Sequence, residues 1–222
     1  MTDVNIMAGG PQDNLSGDWQ QLTGKWIGVD RGALRLVKAG IQPVLAVGDF
    51  DSLTSEEFQL VHDRVQEIEQ VPSAKDDTDT ELAMKVALTD FSADKVTLVG
   101  ATGGRLDHLL SNLFLPLQPR FLVDIERIHL LDEQNHVDYY GPGTHEIQPL
   151  SGYRYVAVIN LTPVTDLAII GAKYPLKSWS AAYPYAWASN EFIGNNSFTV
   201  RWTTGQVAII YSRDRVGQKA DN

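Results

Sequence analysis

The chain has 222 residues, 43% of them hydrophobic, no cysteine and a formal charge of −10 at pH 7. Such a length and apolar content suit one large domain or two small ones, each built around a buried core. The missing cysteines exclude disulfides, thiolate nucleophiles and thiolate metal sites, and the negative charge argues against a nucleic-acid backbone as a partner.

The N-terminus, MTDVNIMAGGPQDN, lacks the basic start and apolar core of a signal peptide. No run approaches the roughly 18 apolar residues that a membrane span needs, so no membrane partner and a cytoplasmic location are expected. From there to about residue 125, short β-rich runs alternate with helical patterns, the order that builds a parallel sheet covered by helices. Strands are predicted over 4–8, 26–29, 44–47, 68–71 and 96–99, and helices over 33–39, 55–65, 80–88 and 106–115. The helix after Asp79 carries Leu82, Ala83, Val86 and Ala87 at spacings of three and four, one apolar stripe for the sheet. Pro116 and Pro119 stop the helix that begins near Leu106.

Beyond about residue 125 β-branched and aromatic residues alternate with Gly, Pro, Asn and Ser, and the half reads as all-β. Its strands are predicted over 128–131, 137–140, 153–159, 167–170, 198–202 and 207–211, enough for a sandwich or barrel. The fold class is therefore α/β followed by all-β, with domains at 1–130 and 131–222 and a boundary between 125 and 140. The polar end GQKADN is expected to fray.

In an open parallel sheet, ligands bind beyond the carboxyl ends of the strands. Four loops begin at such ends: AGGP (8–11), DRG (30–32), GDFDS (48–52) and GATGGRLDH (100–108). In GDFDS, Asp49 and Asp51 stand one residue apart after a glycine. They can shape an Asx turn, with Ser52 or Thr54 capping the next helix, or they can face a Mg²⁺ that bridges phosphate oxygens. The stretch KDDTDTE (75–81) offers a capping box in Thr78 and Glu81, which leaves Asp76, Asp77 and Asp79 crowded with Lys75 as partial counter-charge. The glycines of GATGGRLDH would let backbone amides approach phosphate, Arg105 could pair with it, and Asp107 could pair with metal or with Arg105.

His62, His108, His129, His136 and His145 show no HxxxH spacing, so no zinc site is expected, and no GxSxG elbow supports a serine nucleophile. Trp179, Tyr183, Tyr185, Trp187 and Trp202 suit a small core, although those near Ser189 and Asn190 could stack on a flat or cationic ligand.

Taken in order, AGGP, DRGA, GDFDS, KDDTD and GATGGRLDH, followed by GAKYPL (171–176) and SNEF (189–192), resemble thiamine pyrophosphokinases over nearly the whole chain. The resemblance implies a Rossmann-like α/β nucleotide-binding catalytic domain, a C-terminal β-sandwich that binds thiamine, and a homodimer with active sites between subunits. It implies transfer of the pyrophosphoryl group of ATP to the hydroxyl of thiamine, giving thiamine diphosphate and AMP with Mg²⁺ required. By motif position Asp49, Asp51 and Asp79 look like the metal ligands, Asp107 belongs to the same polar site, and Asp79 is a candidate base. Gly9, Gly10, Asp30, Arg31, Gly32, Lys75, Thr102, Gly103, Gly104 and Arg105 fall on the ATP side, and Trp187, Ser189 and Asn190 on the thiamine side. DRG stands where many members have DGG, so Arg31 adds a charge beside the nucleotide loop. The rival readings are a DxD-type metal-dependent phosphatase or sugar transferase, and a non-catalytic nucleotide sensor. In GDFDSLT the threonine falls one place later than the phosphatase pattern wants.

Overall fold

The structure is a computed structural model and describes residues 1–72 and 76–215; Lys75 and the terminal GQKADN lie outside the described residues. Cα packing divides the chain into two units, 1–118 with 127–133, and 119–126 with the chain from 134 onward.

The first unit runs β1 (Asp3–Met7), β2 (Lys25–Val29), α1 (Arg31–Lys38), β3 (Leu45–Gly48), α2 (Ser55–His62) and β4 (Ile68–Gln70). It continues through α3 (Asp79–Thr89), β5 (Lys95–Val99), α4 (Leu106–Phe114) and β6 (Ile128–Leu131). Its strands lie in the order β6-β5-β1-β2-β3-β4, and every neighbouring pair is parallel. The chain walks outward from β1 to β4 and then returns to place β5 on the other side of β1. That reversal opens a crevice at the carboxyl ends of β1 and β5, between the loops that leave them in opposite directions.

The central strands are buried almost end to end, as a sheet with helices on both faces requires. One face packs Ala33 and Leu34 of α1 against Ala46, Phe50 and Val61; another cluster joins Met7, Trp19, Trp26, Leu36 and Val99. Helix α3 buries Ala83, Met84 and Ala87, with Leu82 and Val86 half-exposed, so its stripe is rotated toward Met84 from the expected one. Thr54 with Glu57 and Thr78 with Glu81 form complete capping boxes at α2 and α3, fixing where each helix starts. Of the two expected caps for α2, Thr54 is the one used.

The second unit has β7 (Asn135–Tyr140), β8 (Gly143–Ile147), β9 (Tyr155–Asn160), β10 (Val164–Ile170), β11 (Leu176–Ala181), β12 (Tyr185–Glu191), β13 (Phe198–Trp202) and β14 (Val207–Ser212). One antiparallel layer has the order β12-β9-β14-β7 and the other β11-β10-β13-β8. Val156, Val158, Val207 and Ile209 from the first layer share a core with Ile147, Leu167, Ile169, Val200 and Trp202 from the second, which makes the unit a sandwich.

The expected strand at 128–131, counted from sequence with the β-rich half, is instead β6, paired parallel with β5 from Val96↔Ile128 to Val99↔Leu131. Apolar β-propensity marks a strand without naming its neighbour. Strands β8, β11 and β12 escaped sequence reading because GTHEI, LKSWSA and YAWASNE are rich in small, polar and exposed residues; pairing with β13, β10 and β9 holds them extended.

Gly32, second in α1, shows how closely helix meets strand: a Cβ there would stand 1.9 Å from the carbonyl oxygen of Met7. Helix propensity alone favours Gly32→Ala by about 1 kcal/mol. The contact reverses that sign, and thermal denaturation should show a net loss of about 2 kcal/mol, within the usual range for overpacking. Gly17→Ala, at a position with nothing within 4 Å, should leave the midpoint nearly unchanged.

Candidate active site

A cleft of about 720 Å³ opens in the first unit at the carboxyl edge of the parallel sheet. Its wall joins the loop after β1 (Gly9, Gly10, Pro11), the turn after β2 (Asp30, Arg31), the turn after β3 (Asp49, Ser52), the approach to α3 (Asp76 to Thr80), and the loop after β5 with the first turns of α4. Segments far apart in sequence meet because each is the continuation of a strand in one parallel sheet.

The acids are held by unusual backbone. Asp30 has φ +47 and Phe50 φ +56, both in the left-handed region that L residues seldom adopt. Phe50 is buried against Phe58, and its N–H donates to Asp30 Oδ1 at 3.3 Å. Gly48 makes room for this carboxylate, since a Cβ there would lie 1.9 Å from Asp30 Oδ1. Asp49 Oδ1 accepts from the Asp51 N–H at 3.0 Å, so the Asx turn exists and at the same time turns Asp49 into the cleft. Asp51 is exposed and is not among the described lining residues. Asp79 enters from the first residue of α3, directly after the Thr78 cap.

Burial, the nearby charge of Asp79 and that of Asp49 push the Asp30 carboxyl up from an ordinary 3.8 to about 7, while the Phe50 N–H pulls the other way; Asp79 is also a hydrogen-bond partner. The sequence placed Asp30 with the nucleotide turn, whereas its side chain stands among the acids.

The positive and amide side of the cleft comes from Gly9, Gly10, Gly103, Gly104, Arg31 and Arg105. Gly103 and Gly104 both have positive φ, which a side chain would resist. Arg105 and Asp107 form an exposed two-pronged pair, Nε to Oδ1 at 3.1 Å and Nη2 to Oδ2 at 2.5 Å, which holds Asp107 below the usual carboxylate range. Asp107 is not among the described lining residues. Thr102 faces inward: its buried hydroxyl donates to Asp132 at 2.8 Å and accepts from Asn14 at 3.2 Å, pinning the glycine loop from behind. Arg31 Nη1 donates to the Ser52 carbonyl at 2.5 Å and so ties α1 to the turn that carries Asp49. Gly32 contributes close packing rather than a wall.

His108, Ser111 and Asn112 also line the cleft. Sequence reading missed the last two, although spacings of three and four place all three on one face of α4. Asn112 Nδ2 donates to the Ala101 carbonyl at 2.8 Å and bridges the loop to its helix.

In the second unit, Ser189 has φ +55 at an irregularity in the pairing of β12 with β9. Asn190 is buried; its Oδ1 accepts from the N–H of Tyr174 and of Glu191, each at 2.9 Å, and its Nδ2 donates to the Tyr174 carbonyl at 2.8 Å. Its amide therefore shapes the GAKYPL loop. Trp187 meets Trp179 edge-on at 5.4 Å and Tyr185 at 4.8 Å, and its buried indole N–H has no hydrogen-bond partner among the described residues.

The Asp30 shift fixes a pH dependence for the metal-free protein. A carboxyl whose folded pKa exceeds its unfolded value contributes stability at low pH that is lost as pH rises through the folded value. With chelator present, the thermal midpoint should fall between pH 4 and about 7, and Asp30→Asn should flatten that fall. A midpoint with the same slope in both proteins would contradict the burial of this acid.

Two family models match the chain: "Thiamin pyrophosphokinase, catalytic domain" over residues 19–125 and "Thiamin pyrophosphokinase, vitamin B1 binding domain" over 144–207. The chain is 38% identical over 182 residues to the thiamine pyrophosphokinase of Bacillus subtilis, covering 80% of this chain and 83% of that one. A thiamin pyrophosphokinase family protein from Enterococcus faecalis superposes with a TM-score of 0.91 at 40% identity, over 97% of this chain and all of that one. The Bacillus subtilis structure superposes with a TM-score of 0.84 at 33% identity, over 96% and 100%. With both models matched in order and that identity spread over most of its length, the chain belongs to the thiamin pyrophosphokinase family and carries its catalytic and its vitamin B1 binding domain.

Proposed function

We propose that this chain moves the β,γ-pyrophosphoryl group of ATP to the hydroxyl of thiamine, releasing thiamine diphosphate and AMP, with residues 1–130 holding the nucleotide and 131–222 the thiamine. One observation carries the reading: the strand-end carboxylates Asp30 and Asp49 and the helix-start carboxylate Asp79 share a single cleft with two glycine loops. Acids suit a cation and glycine-loop amides suit phosphate, and a metal-bound triphosphate has both.

The donor set fits Mg²⁺: the groups are hard oxygens, and Asp30 is raised by burial first and then by the charges of Asp79 and Asp49, the like-charge crowding that a cation would offset. Asp49, Asp51 and Asp79 would hold the ion, with Asp30 behind them. When bound, the ion neutralises charge on the phosphates and orients them.

The chain's own residues do the rest. Amides of Gly9, Gly103 and Gly104 hold the phosphates, with Gly10 as close-packed wall beside them because its own N–H donates to the Gly100 carbonyl at 2.8 Å, and Arg31 and Arg105 add charge; Lys75 is assigned to the same side from sequence. Asp107 keeps the Arg105 guanidinium oriented. The thiamine hydroxyl oxygen forms a bond to the β-phosphorus as the bond from that phosphorus to the α–β bridging oxygen breaks. AMP leaves with the bridging oxygen, and the alcohol proton passes to the carboxylate cluster, with Asp79 the assigned acceptor. Positioning and charge neutralisation supply most of the rate.

On the thiamine side, the face of Trp187 suits a flat cationic ring, while Ser189 and Asn190 set the wall around it through β12 and the GAKYPL loop. The working unit is proposed to be a homodimer with active sites between subunits. In support, α4 buries none of its residues and exposes Leu106, Leu110 and Phe114 at four-residue spacing. Among the described residues no helix is long and apolar enough to cross a membrane. ATP and Mg²⁺ as reactants suit the cytoplasm.

Incubation of the chain with ATP, Mg²⁺ and thiamine should yield AMP and thiamine diphosphate in equal amounts. Inorganic phosphate without AMP would identify a phosphatase instead, and ATP binding without either product a sensor. Asp49→Asn and Asp51→Asn should each raise the Mg²⁺ concentration needed for half-maximal rate and lower turnover by roughly a hundredfold or more, with the thermal midpoint retained. An unchanged Mg²⁺ requirement in both would remove them from the metal site.

A further inference from the structure

A second concavity, of about 530 Å³, lies in the first unit between the segment around Gln12 to Gln20 and helix α1. Its chemistry is opposite to that of the acidic cleft. The charged residues described on its wall are all cations, Arg31, Arg35 and Lys38, which share one face of α1 at spacings of four and three. Leu15, Trp19 and Leu34 supply apolar wall beside them.

Arg35 is the informative member. It is half-buried, and its guanidinium donates to the carbonyl of Ala8 at 3.1 Å and of Gly10 at 2.7 Å, with no carboxylate paired to it among the described residues. Burial, with Arg31 nearby, holds its pKa below the ordinary value. Arg31 and Lys38 share a single acid, Glu57, at 3.7 and 3.2 Å, in exposed pairs of the kind that hold weakly. Three cations thus line the groove with no carboxylate among its described lining residues; Glu57 pairs with two of them from outside it, and Asp13 and Asp18 belong to the facing segment but not to the described lining. In a chain of formal charge −10, this local excess is what an anion would offset.

We propose that this groove binds the phosphate or diphosphate group of a small molecule in its metal-free form, at a site separate from the catalytic cleft. Guanidinium and ammonium groups recognise phosphate directly, without the bridging cation that the acids of the cleft demand. Arg31 borders both cavities, and Arg35, on the groove wall, donates to the carbonyls of Ala8 and Gly10, which line the cleft, so the two sites share these side chains. The proposal does not depend on which reaction the cleft performs, because binding is measured without turnover.

The test is an NMR titration of the full chain in chelator, following the tryptophan indole signals, with that of Trp19 assigned through Trp19→Phe. Inorganic pyrophosphate and AMP are titrated separately. The Trp19 signal should shift saturably with at least one of them. Lys38→Glu, a change at an exposed side chain, should weaken that binding by about tenfold or more, since it reverses a charge facing a dianion. Asp49→Asn should leave the binding in place. Tighter binding of AMP would show that the groove takes a nucleotide, and tighter binding of pyrophosphate that it takes a free diphosphate. A stationary Trp19 signal with both probes, or a Lys38→Glu protein that titrates as the parent does, would overturn the proposal.

Discussion

The burial and crowding of carboxylates at one edge of a parallel sheet is the constraint around which the cleft is arranged. Asp30, Asp49 and Asp79 reach the cleft from the ends of two strands and the start of a helix; burial makes Asp30 costly to charge, and the charges of Asp79 and Asp49 add to that cost. Folding tolerates this only because strongly determined surroundings hold the acids. Phe50 is locked into the core in a left-handed conformation, Gly48 leaves space for the Asp30 carboxylate, and a capping box sets the first turn of α3 under Asp79.

The opposing charge is distributed with equal economy. The glycine loops offer amides, Thr102 and Asn112 fix one loop from behind and beside it, and Arg31 joins α1 to the turn carrying Asp49. Acids and glycine loops are thereby brought to one sheet edge, and the reversal of strand order between β1 and β5 leaves the room between them. In the sandwich unit Asn190 uses its whole amide to shape the GAKYPL loop, while Trp179 and Trp187 pack partly against the core and Tyr185 of β12 is exposed.

Much of this was legible in the chain. The βαβα order, the Thr78–Glu81 capping box, a cap for α2 at Ser52 or Thr54 and a pairing of Asp107 with metal or with Arg105 follow from local spacing; the structure uses Thr54 and the Arg105 pair. Asp49 illustrates a subtler case: the Asx turn and the ligand reading were competing explanations in sequence, and in the structure the turn is what aims the side chain. What stayed hidden depends on contacts made across the fold. Asp30 gives no sign in sequence that its carboxyl sits beside Asp79, and Thr102 none that it points away from the cleft toward Asp132. Strand β6 looked like the opening of the β-rich half because propensity is blind to the partner strand, and β12 was missed because Ala, Ser and Asn pair well enough when β9 is already in place.

The central claim is that the crowded acids of the cleft are a cation site completed by a nucleotide's phosphates. Its most direct measurement is binding of Mn²⁺, a spectroscopically visible stand-in for Mg²⁺, followed by electron paramagnetic resonance with a non-hydrolysable ATP analogue present. The account predicts that Asp49→Asn and Asp79→Asn each weaken Mn²⁺ binding by at least roughly tenfold, the loss that removing even a supporting group behind a metal ligand produces. Mn²⁺ bound as tightly by both variants as by the parent chain would contradict it.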